Sequence, residues 1–164
     1  LGGTQAFRVA DGLAERNVPV VITLGAGYRP TPDRDESIAA SWRNAGVLHA
    51  AGVTVGFASD DSEQARNVPY MAAHAVAFGL PEEAAVRALT LDNARILGQG
   101  DRTGSLEAGK RADIIVTDGS PLQYLTSVER MYVGGMEVDP RDNKHHRLYE
   151  EYRGRDVTGG GGMR

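Results

Sequence analysis

The residues Val53-Thr-Val-Gly-Phe-Ala-Ser-Asp-Asp61 carry the clearest indication of architecture in this 164-residue chain. Residues 53–58 are β-branched, aromatic or small, which is typical of a strand buried in a parallel sheet. A second run of this kind, Val18–Leu24, lies upstream and predicts a parallel neighbour. Together these runs predict an α/β protein in which Asp60 and Asp61 follow the carboxyl end of a strand.

The rest of residues 1–98 predicts helices around these two strands. Four helices are expected from apolar residues that recur at three and four positions, at residues 4–17, 36–51, 67–79 and 81–98. Gly52 ends the second helix as a left-handed cap, and residues 25–35 predict a loop. Because two parallel strands do not make an adequate sheet alone, we expect this part to belong to a larger sheet.

The pattern changes after Gly98 to short β-rich runs separated by turns. Four strands are predicted, at Thr103–Leu106, Asp113–Thr117, Val128–Val133 and Met136–Val138. Gly134-Gly135 is a hairpin signal between the last two. A polar helix is expected over residues 142–155, followed by a glycine-rich tail at 159–162.

Composition excludes several classes of function. The net charge of −4 argues against a nucleic-acid partner, since such modules usually carry a basic face. The absence of cysteine excludes disulfides, thiolate nucleophiles and cysteine-ligated zinc. No apolar run reaches the ~18 residues that a membrane span needs, so no membrane partner is expected. Localisation stays open, because a chain that begins at Leu1 is expected to have its true N-terminus upstream.

Asp60 is the candidate for chemistry, because active sites of parallel α/β folds lie beyond the carboxyl ends of the strands. A carboxylate there can ligate a metal or accept a proton from a metal-bound water. The alternative is that this acidic segment caps the next helix through Ser59 or Asp61. The residues alone favour the cap.

The four histidines do not form a recognisable metal motif. None is arranged as His-x-His, and the adjacent pair His145-His146 would not face one ligand from a helix. His49 near a helix end offsets the helix dipole, and His74 in mid-helix is expected on the surface or in the core. Gly-x-Gly-x-x-Gly, P-loop and Gly-x-Ser-x-Gly motifs are absent.

Residues 90–139 carry linked motifs: Thr90-Leu-Asp-Asn-Ala-Arg-Ile-Leu-Gly98, Gly104-Ser-Leu-Glu-Ala-Gly-Lys110, Ala112-Asp-Ile-Ile-Val116 and Val128-Glu-Arg-Met-Tyr-Val-Gly-Gly-Met-Glu-Val138. Their order and spacing resemble the C-terminal part of the metal-dependent amidohydrolase superfamily, most closely its imidazolonepropionase-related, prolidase-like branch. That pattern is a Thr-x-Asn-Pro-Ala-x-x-Leu-Gly helix, a Gly-Ser-Leu-Glu-Pro-Gly-Lys segment and a hairpin. This chain departs from it with Asp92-Asn93 at the Asn-Pro position and Ala108 at the second proline.

The resemblance implies a (β/α)8 TIM-type barrel and a small β-sandwich, of which this chain would hold the C-terminal parts. Val18–Leu24 and residues 53–58 would be strands seven and eight. Residues 1–98 would form the partial barrel and residues 99–139 the sandwich segment of a composite domain. Residues 140–164 would add a polar C-terminal helix and a Gly-rich tail.

The resemblance also implies hydrolysis of a carbon–nitrogen bond in a small molecule, such as a cyclic amide, amide or dipeptide. Asp60 matches the family's aspartate after strand eight, which ligates a divalent metal. Zinc is expected, as one or two ions, with manganese and other metals left open. That aspartate also takes a proton from the hydrolytic water, whose pKa the metal lowers to about 7, and passes it to the leaving nitrogen. Asp61 keeps the cap interpretation.

The family's remaining ligands have no counterpart here: His-x-His after strand one, a lysine or carboxylate after strand four, and histidines after strands five and six. One carboxylate does not hold zinc alone, so the isolated chain is expected to be inactive and to need a missing N-terminal barrel half. Two alternatives stay open, a non-catalytic remnant that packs against a partner and one half of a split enzyme. Homo-oligomerisation is also left open. Solution size and metal content would separate these alternatives.

Overall fold

The computed structural model describes residues 3, 5–23, 39–59 and 62–153 of the chain. In order, its helices and strands are α1 (Ala10–Glu15), β1 (Val20–Thr23), α2 (Ala40–Ala50), β2 (Val55–Ala58), α3 (Val68–Ala77), α4 (Glu82–Leu89), α5 (Leu91–Ile96), β3 (Ile114–Thr117), β4 (Val128–Val133), β5 (Met136–Val138) and α6 (Lys144–Tyr152). Short 3-10 turns precede α1 and α3, at Ala6–Val9 and Ala65–Asn67. The predicted α/β arrangement is confirmed.

The strands β1 and β2 form a parallel pair, as the sequence predicts. Their register joins Val20 to Val55 at one end and Thr23 to Ala58 at the other. Alternate residues of both strands are buried against the helices, and these are Val20, Ile22, Val55 and Phe57. On the helix side the core is built from Leu48, whose side chain is fully buried, and from small alanines of α2, α3 and α4. Burial of these apolar side chains holds the helices on the sheet.

Asn44 of α2 is a fully buried polar residue that ties the start of the chain to this core. Its Nδ2 donates to the Gly3 carbonyl at 2.6 Å, and its Oδ1 accepts from the Phe7 N–H at 2.9 Å. Both backbone partners lie in the turn that leads into α1. The side chain therefore gives the Phe7 N–H an acceptor and adds a second hydrogen bond to the Gly3 carbonyl, which also accepts from the Ala6 N–H at 3.0 Å.

We expect Asn44→Ala to lower the free energy of unfolding by about 1–3 kcal/mol, because it leaves the hydrogen bond from the half-buried Phe7 N–H unmade and removes one of the two hydrogen bonds to the Gly3 carbonyl. Urea denaturation of the chain measures this loss. Asn67→Ala is the control, since Asn67 bonds only locally to Gln64 and should cost about 1 kcal/mol or less. Equal losses in the two variants would contradict the role given to Asn44.

The single helix predicted over 81–98 is wrong, because the structure divides it at Thr90 into α4 and α5. Thr90 has φ −124° and ψ −97°, which no helix contains. Its Oγ1 donates to the Val86 carbonyl at 2.8 Å. A threonine that bonds back to the preceding turn competes with the helical backbone and favours a bend. The division turns α5 across the sheet, toward β2.

The strand predicted at Thr103–Leu106 is also wrong, since this segment is a turn. Lys110 Nζ donates to Ser105 Oγ at 2.6 Å and to Glu107 Oε1 at 3.2 Å. These local polar contacts satisfy the segment in place of a neighbouring strand. The other three predicted strands are confirmed as the antiparallel sheet β3-β4-β5.

Glycines make the predicted hairpin between β4 and β5. Gly134 and Gly135 both have positive φ, at +58° and +84°. This pairing of left-handed residues is the one that a two-residue hairpin requires. Gly52, with φ +85°, likewise ends the α2 segment as predicted.

The loop between β3 and β4 joins the antiparallel sheet to the helical layer. Leu122 is buried in the main core. The Tyr124 ring stacks on Tyr70 of α3 with centroids 3.8 Å apart, and Ser120 donates to Glu82 of α4 at 2.5 Å. The β-rich segment is therefore packed on α3 and α4.

The predicted C-terminal helix is present as α6. Its N-cap Asn143 accepts from the His146 N–H at 2.9 Å. In the described part of the chain, no helix is long and apolar enough to cross a membrane. The division at 98 and 139 into domains stays a prediction, as does the structure of the glycine-rich tail, which lies outside the described residues.

Candidate functional site

The carboxyl ends of β1 and β2 lie side by side. Thr23 and Ala58 are register partners at this edge, and Thr23 is buried. Ser59 follows Ala58 and is half-buried. Because the strands are parallel, both carboxyl ends lie at the same end of the sheet. The sequence predicts a site at this end.

Asp60, the predicted metal ligand and catalytic residue, lies outside the described residues, and so does Asp61. The loop predicted at residues 25–35 lies outside them as well. The structure does place Ala58, two residues before Asp60, at the carboxyl end of β2, beside the last residue of β1. The roles of Asp60 as ligand and of Asp61 as cap stay predictions.

Asn93 of α5 is a polar residue at the sheet that sequence reasoning treated only as a departure from a motif. Its Nδ2 donates to the Phe57 carbonyl of β2 at 2.8 Å. Its Oδ1 lies over Gly56, so close that a Cβ on this glycine would collide with it. The sequence feature that could have pointed to this residue is an amide side chain at a position where the family that the chain resembles carries proline.

A cavity of about 550 Å³ lies at the opposite, amino-terminal end of the strands. Three of the charged residues that line it form ion pairs with one another: Asp92 lies 3.0 Å from Arg87 and 3.7 Å from Arg95. His49 also lines it and sits in the last turn of α2, as predicted. The length of β1 and β2 separates this cavity from the carboxyl ends of the two strands.

The histidines and acids of the described residues do not form a metal site: no group of three or more that could hold an ion is found among them. His74 packs edge-on against Trp42 with centroids 6.2 Å apart. His146 lies 3.8 Å from Glu150 on the exposed α6. That neither histidine is a metal ligand stays a prediction.

Carboxylates of the β-rich segment have lowered pKa values for structural reasons. Hydrogen bonds from Ser105 and then Lys110 hold the pKa of Glu107 below its usual value. The hydrogen bond from Arg130 does the same for the pKa of Glu137, through a two-pronged contact at 2.8 and 3.1 Å. The Arg130–Glu137 pair is exposed, where such pairs contribute little to stability, whereas Lys110 is largely buried beneath the exposed Glu107.

Comparison with known proteins identifies the class. The Amidohydrolase family matches residues 2–140, which is most of the chain. The chain therefore belongs to the Amidohydrolase family and is related to amidohydrolase-type enzymes. The resemblance drawn from residues 90–139 is confirmed.

Two relatives show the range within the family. An S-triazine hydrolase of Gordonia rubripertincta is 36% identical over an alignment of 106 residues that covers 58% of this chain and 19% of the relative. An imidazolonepropionase of Porphyromonas gingivalis is 33% identical over an alignment of 134 residues that covers 77% of this chain and 30% of the relative.

Solved structures agree on the fold. An amidohydrolase from Thermotoga maritima matches with a TM-score of 0.69 and 33% identity, covering 84% of this chain and 36% of that protein. A zinc-bound adenosine deaminase from Xanthomonas campestris matches with a TM-score of 0.57 and 23% identity, covering 92% of this chain and 39% of that protein. The chain thus spans between about a fifth and two fifths of the length of these four proteins.

Proposed function

We propose that the chain is the C-terminal part of a metal-dependent hydrolase that cleaves carbon–nitrogen bonds other than ordinary peptide bonds. The substrate would be a small molecule with a cyclic amide, an amide or a dipeptide-like group. The observation that carries the proposal is the parallel pair β1 and β2, whose common carboxyl edge leads into Asp60, within a chain that matches the Amidohydrolase family over residues 2–140.

Asp60 is proposed as both metal ligand and proton carrier. A bound divalent metal would supply Lewis-acid activation of water and substrate. The Asp60 carboxylate would accept the proton that the attacking water gives up and return it to the leaving nitrogen, so that one group serves as base and then as acid. Support comes from its sequence position directly after strand β2, in the class of fold that places active sites there.

Zinc is the proposed metal, as one or two ions. The zinc bound in the Xanthomonas deaminase supports this choice. Because the other ligands of the family have no counterpart in this sequence, we propose that they come from a barrel half outside this chain. The isolated chain is accordingly proposed to be inactive.

The β3-β4-β5 sheet supports a composite second domain. Five apolar residues share one of its faces by register: Ile115, Met131, Val133, Met136 and Val138. Ile115 is 53% exposed and Met136 is 73% exposed. An apolar sheet face is stable when another layer covers it. We propose that strands of the missing N-terminal part cover this one, as half of a small β-sandwich.

Metal analysis tests the proposed function. After dialysis against Zn²⁺, a longer polypeptide that contains this chain should retain one or two ions and hydrolyse a member of a panel of cyclic amides, amides and dipeptides. The 164-residue chain alone should retain none and show no turnover. Stoichiometric zinc in the isolated chain, or none in the longer polypeptide, would overturn the proposal. If zinc binds only after a separately made N-terminal half is mixed with the chain, the split-enzyme alternative is correct.

A further inference from the structure

We propose that Asn93 is a positioning residue that fixes the carboxyl-terminal half of β2, and through it the start of the segment that holds Asp60. The proposal extends the proposed function and rests on it for its catalytic consequence. It is carried by one hydrogen bond, by the strand edge to which that bond is made, and by a glycine that leaves room for it.

The Phe57 carbonyl points away from β1. The Val20 N–H of β1 donates to the Thr54 carbonyl at 2.9 Å, so the Thr54 peptide oxygen faces β1. Peptide groups alternate in direction along a strand, and Phe57 is three residues further on. Its carbonyl therefore lies on the outer edge of β2, where no other strand of the described residues pairs.

Asn93 closes this part of the outer edge. Its Nδ2 donates to the Phe57 carbonyl at 2.8 Å across a sequence separation of 36 residues. A primary amide offers a donor and an acceptor, as a peptide group does. The Asn93 side chain thus takes the place of one peptide of a neighbouring strand. The proline that the resembling family carries at this position has no side-chain amide with which to make the contact.

Gly56 provides the space for this contact. It is buried, and an added Cβ would collide with Asn93 Oδ1 and lie 3.2 Å from Ile96 Cδ1. Asn93 and Ile96 are successive contacts from one face of α5, which lies against this part of β2. The amide is therefore held between the strand edge and its own helix rather than free to rotate.

The helix that carries Asn93, α5, is itself held in place by contacts with α4. Ala94 is buried, and its N–H donates to the Thr90 carbonyl at the break between α4 and α5 at 2.9 Å. Asp92 pairs with Arg87 of α4 at 3.0 Å. A displacement of about 1 Å at a reacting group can cost about 10²-fold in rate. Phe57 lies three residues before Asp60, so loss of the contact should reach Asp60 as a change of position.

Asn93→Asp tests the proposal with almost no change of shape, because it replaces the donating amide by an oxygen that repels the Phe57 carbonyl. Asn143→Asp is the matched control. Asn143 also donates from Nδ2 to a backbone carbonyl, that of Pro140 at 3.0 Å, and aspartate preserves its cap. Both variants are made in the longer, zinc-loaded polypeptide.

We expect Asn93→Asp to reduce kcat by about 10–100-fold, the range that a displacement of about 1 Å at a reacting group costs, and to weaken Zn²⁺ affinity as well. KM should change much less, and the control should leave all three quantities unchanged. Hydrogen exchange provides a readout without turnover, since the amides of β2 should exchange faster in Asn93→Asp than in Asn143→Asp.

A second pair of variants tests the close contact itself. Gly56→Ala should lower Tm strongly in the wild-type background and much less in the Asn93→Ala background, because the colliding amide is then absent. Equal Tm losses in both backgrounds would overturn the packing argument.

The possible outcomes separate the two proposals. A wild-type protein that binds no Zn²⁺ and hydrolyses no substrate contradicts the proposed function, whereas the exchange measurement still decides whether Asn93 fixes β2. An active wild type in which Asn93→Asp and Asn143→Asp have the same kcat, Zn²⁺ affinity and exchange contradicts the role of Asn93 alone.

Discussion

Replacement of Asp60 by asparagine should reduce turnover by about 10²–10⁴-fold in the longer, metal-loaded polypeptide, which is the usual contribution of a general acid–base group. Asparagine keeps the size of the side chain but does not accept and return a proton at the working pH. Substrate binding should be retained, so the loss should appear in kcat rather than in KM. Steady-state kinetics on the substrate found by the hydrolysis panel measures it.

Asp61→Asn is the matched control for this prediction. Asp61 has the cap interpretation, and asparagine is as good an N-cap as aspartate. Its turnover should stay close to that of the wild type. Near-normal turnover in Asp60→Asn would remove Asp60 from the mechanism, and a large loss in Asp61→Asn would show that the two acids were assigned the wrong way round.

Gly104→Ala should lower the free energy of unfolding by about 2–5 kcal/mol. Gly104 has φ +93°, a conformation that costs an L-residue about 1–2 kcal/mol. An added Cβ would also lie 2.8 Å from both Ala94 Cβ and Leu91 Cα of α5. Overpacking against a helix backbone typically costs a further 1–3 kcal/mol. The contact joins the turn at 103–106 to the helix that carries Asn93.

Gly109→Ala separates the two contributions. Gly109 has φ +90°, almost the same as Gly104, but nothing in the described part of the chain lies within 4 Å of its added Cβ. It should therefore lose only the conformational part, about 1–2 kcal/mol. Urea denaturation of the two variants gives the comparison. If both lose the same free energy, the packing of Gly104 on α5 is not what makes this position sensitive.

The sequence correctly predicted those elements that depend mainly on residues close to one another along the chain. The buried runs that became β1 and β2, the left-handed Gly52 and the Gly134-Gly135 hairpin were all read correctly. The two errors have a common origin. At Thr90 and at Ser105, side-chain hydrogen bonds replaced the backbone pairing that the apolar pattern predicted.

The family could also be inferred from the residues alone, because its motifs at 90–139 are contiguous and their order is specific. The order of the elements and the position of Asp60 after a strand could likewise be predicted from the sequence. The contact of Asn93 with Phe57 is not, because it joins residues 36 positions apart through one amide and depends on the absent Cβ of Gly56. Hydrophobic periodicity records which face of an element is buried, but only the packing of α5 on β2 decides which side chain meets which carbonyl.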